Sequence, residues 1–269
     1  MLKIGIAGCG TIGSGIAIAI EEKFKDKDKA KLVALYDIDE KKSFSLTSKL
    51  AQAPLLLSLD ELIEKSDLVI EATSAYVSGE IARKALLAYK DVLVMSVGGL
   101  VESDLFTLAN QRQCHIYVPS GAICGLDGVK SAMIGRVDRV TLTTRKPPHG
   151  FQEAPYVLEN NIDLSSIHEE TILFQGSAKE AIRGFPQNVN VAIALSLAGI
   201  GPEKTRVRIV CSRHYKANSH EIEVEGEFGR LITKTENVSA PQNPRTSYLA
   251  ILSAIATLKG ILDYSKIGT

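Results

Sequence analysis

The sequence predicts an α/β protein: a doubly wound parallel sheet, followed by a smaller α+β domain with an open, mostly antiparallel sheet. Three observations carry this expectation. Short apolar runs at residues 2–7, 31–36, 55–59, 68–71, 92–97 and 115–118 alternate with helix-period stretches, as in a parallel sheet covered on both faces. The first run passes directly into Gly8-Cys9-Gly10-Thr11-Ile12-Gly13 and then into a helical face of Ile12, Ile16, Ala19 and Ile20. From Arg136 onward the pattern changes, with strands expected at 140–144, 206–211 and 220–227 and only the helices 178–183 and 187–198 between them.

Composition bounds the class. A chain of 269 residues can bury a sizeable core, and 31 basic against 31 acidic residues leave no net charge to favour nucleic acid or an anionic membrane as partner. The apolar runs are too short to span a bilayer, and the first one follows no basic leader. Cys9, Cys114, Cys124 and Cys211 are scattered without a C-x-x-C pair, which points to reduced thiols, no structural metal and a cytoplasmic setting.

Strand, glycine turn and helix in succession give G-x-G-x-x-G its meaning as a dinucleotide site of the Rossmann type. Gly8 permits the tight turn, Gly10 lets a pyrophosphate approach the backbone, and Gly13 lets helix and strand pack closely. Thr11 and Ile12 open the helix whose free N–H groups face the anion. The second strand ends at Asp37, placed to accept hydrogen bonds from the adenosine ribose. An acid there favours NAD, yet Lys41 and Lys42 follow and can neutralise the extra phosphate of NADP, so the cofactor is NAD or NADP. The fourth strand runs into Ala72-Thr73-Ser74, a small-residue loop suited to a nicotinamide ribose or to an ordinary turn.

The sixth strand empties into Pro119-Ser120-Gly121-Ala122-Ile123-Cys124-Gly125, whose backbone donors can hold a substrate or the nicotinamide amide. Cys124 has no fixed basic partner in sequence and reads as a small buried thiol rather than a nucleophile. Residues 146–161 are rich in turn formers and are expected to form an exposed loop. Ser177 stands at a strand-to-helix junction, either as a plain cap or as part of a carboxylate site. Asn190 has the same ambiguity at the next helix start. In His220-Glu-Ile-Glu-Val the alternation puts His220 on the face of Ile222 and Val224, and the glutamates on the other. It is either a satisfied core histidine or the best-placed imidazole for proton transfer. Arg245 precedes a closing apolar helix and can be a surface arginine or a carboxylate ligand. The domains are thus expected at 1–120 and 121–245, with the helix 246–262 packing back on the first.

Taken together, GCGTIGSGIA (8–17), SVGGL (96–100), PSGAICGLDG (119–128), FQGSAKEAIRGFPQNVNVA (174–192), NSHEIEVEGEFG (218–229) and NPRTS (243–247) resemble the L-aspartate dehydrogenase family. The resemblance implies NAD(P)-dependent oxidative deamination of L-aspartate to iminoaspartate, which hydrolyses to oxaloacetate and ammonia or passes to NAD biosynthesis. It implies His220 as the catalytic residue and Asn190 as a cofactor contact. Members often carry alanine at the cofactor-contact position where this chain has Cys124, a small-for-small exchange. The substrate carboxylates would then fall to Ser120, Gly121, Ser177 or Arg245. Two other readings compete: an enzyme of similar architecture acting on a semialdehyde or cyclic imine, and a nucleotide-sensing protein without chemistry. The first normally places a lysine at the reacting centre, and no lysine adjoins His220 in its own strand. An open sheet leaves a face to cover, so a homodimer is expected.

Overall fold

The structure, a computed structural model, describes residues 1–24, 29–101, 104–186, 189–241, 243–265 and 267–268, with the backbone alone at Pro244 and Arg245. The chain divides into two compact units, one made of Met1–Pro119 with Ile251–Ser265, the other containing Ser120–Ala250.

The first unit alternates strands and helices throughout. In order these are β1 (Leu2–Ala7), α1 (Thr11–Ala19), β2 (Ala30–Tyr36), α2 (Glu40–Thr47), β3 (Leu55–Leu56), α3 (Leu59–Lys65), β4 (Leu68–Glu71), α4 (Ala75–Leu87), β5 (Asp91–Val94), α5 (Leu105–Arg112) and β6 (Ile116–Tyr117). The strands form one parallel sheet in the order β3-β2-β1-β4-β5-β6. Strand order reverses between β1 and β4, which is where open α/β sheets leave a crevice at their carboxyl ends. The apolar runs explain the sheet: Ile4, Ile6, Leu68, Ile70 and Leu93 are buried in one cluster with Ile16 and Ile20. Helix α3 starts on a reciprocal cap between Ser58 and Glu61. Residues 251–265 complete the unit, with Ala254 and Leu258 fully buried in the same cluster. Ile251 lies so close to Gly15 that a Cβ there would come within 2.7 Å of it.

The second unit contains α6 (Leu126–Ala132), β7 (Val137–Lys146), α7 (Pro155–Glu159), β8 (Thr171–Ser177), α8 (Ala178–Gly184), α9 (Val189–Ala198), β9 (Arg206–Cys211), β10 (Asn218–Gly226) and β11 (Gly229–Asn237). The short strands β12 (Ser239–Ala240) and β13 (Asn243–Ser247) follow, then α10 (Tyr248–Leu262). Its main sheet runs β11-β10-β7-β9-β8; β7 pairs with β9 in parallel and the other pairings are antiparallel. One face is apolar and the other carries ion pairs such as Arg139–Glu225 at 2.7 Å and Arg230–Glu223 at 2.7 Å. Strand β11 escapes a reading of hydrophobic pattern because its inward positions include Thr233, Thr235 and Asn237 in place of aliphatic residues.

Residues 146–161 do not form the exposed loop expected of their composition. They fold as a 3₁₀ turn at Pro148–Gly150 followed by α7, and Phe151, Ala154 and Val157 are buried. Phe151 meets Phe185 edge-on at 6.1 Å, and Tyr156 packs on both Phe174 and Phe185. The apolar spacing at 151, 154 and 157 outweighs the turn formers around it. Accordingly, Phe151→Ala should cost about 3–5 kcal/mol in chemical denaturation. A truly exposed loop position would change stability by less than about 0.5 kcal/mol.

Candidate active site

In the first unit, the three glycines meet the three demands placed on them. Gly8 has φ +99°, and a Cβ there would lie 2.4 Å from the Ala72 carbonyl oxygen, so the turn excludes any side chain. A Cβ on Gly13 would lie 1.9 Å from the Gly8 carbonyl oxygen, which seats α1 directly on the turn. Gly10, by contrast, has nothing within 4 Å of that position and faces open space. Gly10 also caps α1 without a side-chain hydrogen bond, and Thr11 and Ile12 follow as its first turn. Asp37 directly follows β2 and accepts the Cys9 N–H at 2.7 Å and the Asp39 N–H at 2.9 Å. Its carboxylate is thereby fixed beside the glycine turn, with lone pairs remaining for ribose hydroxyls. Burial and the Asp37 charge push the Cys9 thiol up to about 12, so this cysteine stays protonated.

Glu71 went unread in the sequence. Its side chain is fully buried at the end of β4, accepting the Thr73 N–H at 2.6 Å, the Thr73 hydroxyl at 2.7 Å and the Ser96 N–H at 3.0 Å. Ser78 adds a hydroxyl donated to the Ser96 carbonyl at 2.7 Å. These bonds tie the Ala72-Thr73-Ser74 loop to the loop after β5, leaving Thr73 and Ser74 exposed at the carboxyl edge. A glutamate in an otherwise apolar strand is the signal that could have found it, because a buried carboxylate requires partners.

In the second unit, strand register sets which candidate residues share a face. Phe174, Ile209, Thr144, His220 and Thr235 pair successively across β8, β9, β7, β10 and β11, and so share one face. His220 is 5% exposed, and its Nδ1 lies 3.0 Å from the Thr144 hydroxyl. That bond commits Nδ1 and leaves Nε2 as the nitrogen able to meet water or substrate. Burial, reinforced by the charge of Lys146, pushes the imidazole from 6.5 down to about 3, so it is neutral at physiological pH. Lys146, two positions beyond Thr144 on the same face, is the lysine that no inspection of the His220 strand alone could find. Burial lowers its ammonium to about 8.

The loop from Ser120 to Gly125 is held over this same face. Thr235 and Asn237 donate to the Ala122 carbonyl at 2.8 and 3.0 Å, and Thr233 donates to the Cys124 carbonyl at 3.1 Å. Gly121 and Gly125 take positive φ, and Gly121 stands beside Val191 in the first turn of α9, next to Asn190. His220, Ser120, Gly121, Cys124 and Asn190 therefore gather on one side of the sheet. Cys124 is exposed and not the buried thiol expected, because its carbonyl is held inward and the left-handed Gly125 follows at once. Ser177 does not join them. It pairs with Arg206, in the row of Thr141 and Glu223 on the opposite face, and its hydroxyl is engaged with Glu180 in a reciprocal cap. A carboxylate of the chain itself already occupies that helix start. Arg245 lies in β13, and its side chain is outside the described residues. Among the described residues no group of His, Cys, Asp or Glu could hold a metal ion, and no helix is long and apolar enough to cross a membrane.

Two measurements check this geometry. Gly10→Ala should leave the melting temperature nearly unchanged while weakening NADH binding, whereas Gly13→Ala, with its clash against the Gly8 carbonyl, should lose about 1–3 kcal/mol of stability or more. The second concerns acid. Unfolded, the imidazole has its ordinary value of 6.5, while the folded protein holds it at about 3. The unfolded state then binds more protons between those values, so stability falls on acidification by up to about 1.4 kcal/mol per pH unit from this group. Urea titrations of His220→Gln should lack that slope between pH 6.5 and about 5, above the carboxylate range.

Known proteins share this fold and sequence. A family model described as the C-terminal region of aspartate dehydrogenase matches residues 127–261, and one described as the NAD binding domain of homoserine dehydrogenase matches 8–119. L-aspartate dehydrogenase of Methanosarcina mazei is 50% identical over 100% of both chains, and that of Nitrosopumilus maritimus 40% identical over 100% of both. Among solved structures, aspartate dehydrogenase of Thermotoga maritima superposes with a TM-score of 0.76 at 24% identity, each chain covered completely. A homoserine dehydrogenase from Thiobacillus denitrificans shares the fold at a TM-score of 0.65 and 11% identity, over 97% of this chain and 73% of its own. With a nucleotide-binding turn in one unit, a buried imidazole in the other and full-length relatives at this identity, the chain belongs to the L-aspartate dehydrogenase family.

Proposed function

We propose that this protein catalyses the reversible, NAD(P)-dependent oxidative deamination of L-aspartate, with His220 as the catalytic residue. The observation that carries the reading is the buried imidazole of His220, anchored through Nδ1 by Thr144 on the sheet face covered by the Ser120–Gly125 loop. Gly8, Gly10, Thr11, Ile12, Gly13 and Asp37 would hold the adenosine diphosphate half of the cofactor, in the cradle that the open space at Gly10 leaves. Ala72, Thr73 and Ser74 would line the nicotinamide ribose, with Cys124 and Asn190 as further contacts. Bound NAD or NADP supplies a hydride acceptor for the aspartate Cα.

The protein's own part is hydrolysis of the resulting imine. Water attacks the carbon of the protonated imine, and Nε2 of His220 takes one of its protons, leaving a neutral carbinolamine. That proton passes to the amine nitrogen; the carbinol O–H then gives its own proton to Nε2 as the C=O bond forms and the C–N bond breaks, and the proton finally leaves with the ammonia as ammonium, beside oxaloacetate. A neutral imidazole suits this role because it must accept before it donates. The substrate carboxylates raise its weak basicity once they lie beside it. Ser120 and Gly121 are better supported as substrate contacts than Ser177, which faces away from His220.

A homodimer, supported by the open sheet whose edges are β11 and β8, is part of the proposal. The cysteines, none of them in a disulfide, agree with a reducing cytoplasmic setting. Supply of iminoaspartate to NAD biosynthesis is a further part of the proposal. The deciding assay follows NADH or NADPH loss with oxaloacetate plus ammonium, against semialdehyde and cyclic-imine substrates. Consumption only with oxaloacetate and ammonium is expected, and His220→Ala should lower turnover by about 10²–10⁴-fold while NADH still binds. Normal turnover by that variant would remove His220 from the chemistry, and cofactor binding without any reaction would leave a sensing protein.

A further inference from the structure

We propose that Lys146 binds a carboxylate of the four-carbon substrate beside His220. This rests on the reading of the site as one for a dicarboxylate, and it supplies what that reading lacks: a fixed cation on the correct face. Register alone makes the selection. Arg139 pairs with Glu225, Arg145 with Ser219, and Arg230 with Glu225, all in rows of the outer face. Arg206 and Arg208 pair with Thr141 and Thr143, and Lys234 with Glu221, again in outward rows. Among the described residues, Lys146 is the basic side chain of this sheet that falls on the His220 face. It lies two residues, roughly 7 Å, along β7 from Thr144, whose hydroxyl contacts the imidazole.

The position of the stem is set by its surroundings. The turn at Pro148–Gly150 folds back over it, so that a Cβ on Gly150 would come within 3.3 Å of both Cβ and Cδ of Lys146. Burial first, and the charge of the Lys146 ammonium second, depress the His220 imidazole. Burial lowers this ammonium to about 8, so it is still mostly protonated at neutral pH and carries the charge that a carboxylate requires. One carboxylate can take the ammonium, and the other the backbone donors of Ser120–Gly125.

The test uses the full-length protein saturated with NADH and succinate, a four-carbon dicarboxylate that cannot react. Lys146→Met should raise the Kd for succinate, and the KM for oxaloacetate, by roughly 10- to 100-fold, the loss of one charge-assisted hydrogen bond. NADH affinity should stay within about twofold, because no cofactor contact is removed. Lys146→Arg should recover most of the succinate affinity, and Lys146→Gln serves as a second neutral variant if the methionine protein does not fold. Wild-type succinate affinity in a neutral variant would overturn the assignment, as would parallel loss of NADH binding or a wild-type protein that binds no succinate. If the wild-type protein binds succinate through Lys146 yet turns over no oxaloacetate, the aspartate reading fails while the carboxylate site stands.

Discussion

The pairing of β10 with β7 is the constraint on which the second unit depends. Side chains alternate along a strand, so a slip of one residue would carry His220 to the charged outer face and bring Glu221 inward. Such a slip would put charged glutamates where Ile222 and Val224 are now buried, which fixes the register strongly. The Thr144–His220 contact is a product of that register: the two residues are opposite each other, and one hydroxyl then sets which ring nitrogen is presented. Hydrophobic burial thus determines the orientation of the imidazole on that face.

The first unit uses close approach in the same way. Gly8 lies against the backbone of Ala72, and Gly13 against Gly8, so β1, β4 and α1 converge at the point where strand order reverses. Glu71 then fixes the neighbouring loops through three accepted hydrogen bonds. The carboxylate is tolerated without exposure because it receives donors from the backbone and a hydroxyl. An edge that must receive a large, charged, flexible cofactor is in this way rigid before the cofactor arrives, which limits the ordering cost of binding.

Much of this was legible in the sequence, for identifiable reasons. The parallel sheet follows from apolar runs at regular intervals, and the nucleotide turn from glycine spacing, both of which are local signals. His220 could be placed on an apolar face by simple alternation, but its meeting with Thr144 depends on a partner 76 residues away in sequence. The burial of Phe151 was hidden for a different reason: its neighbours are individually turn formers, and the apolar spacing at 151, 154 and 157 outweighs them together with partners distant in sequence, Phe174 and Phe185. Ser177 was ambiguous because a cap and an anion site look alike in sequence; Glu180 three residues on tips the balance toward the cap.

The way β11 grips the Ser120–Gly125 loop has one further consequence. Thr233, Thr235 and Asn237 reach main-chain oxygens at positions 122 and 124 and ignore what those residues carry. Gly121 and Gly125 are held to glycine by their positive φ, but the anchoring at 122 and 124 is indifferent to the side chains there, so a thiol added to the methyl at position 124 changes the lining of the site without altering its frame. Tuning of the lining and upkeep of the scaffold are entrusted to different strands of the chain, and either can drift while the other is held.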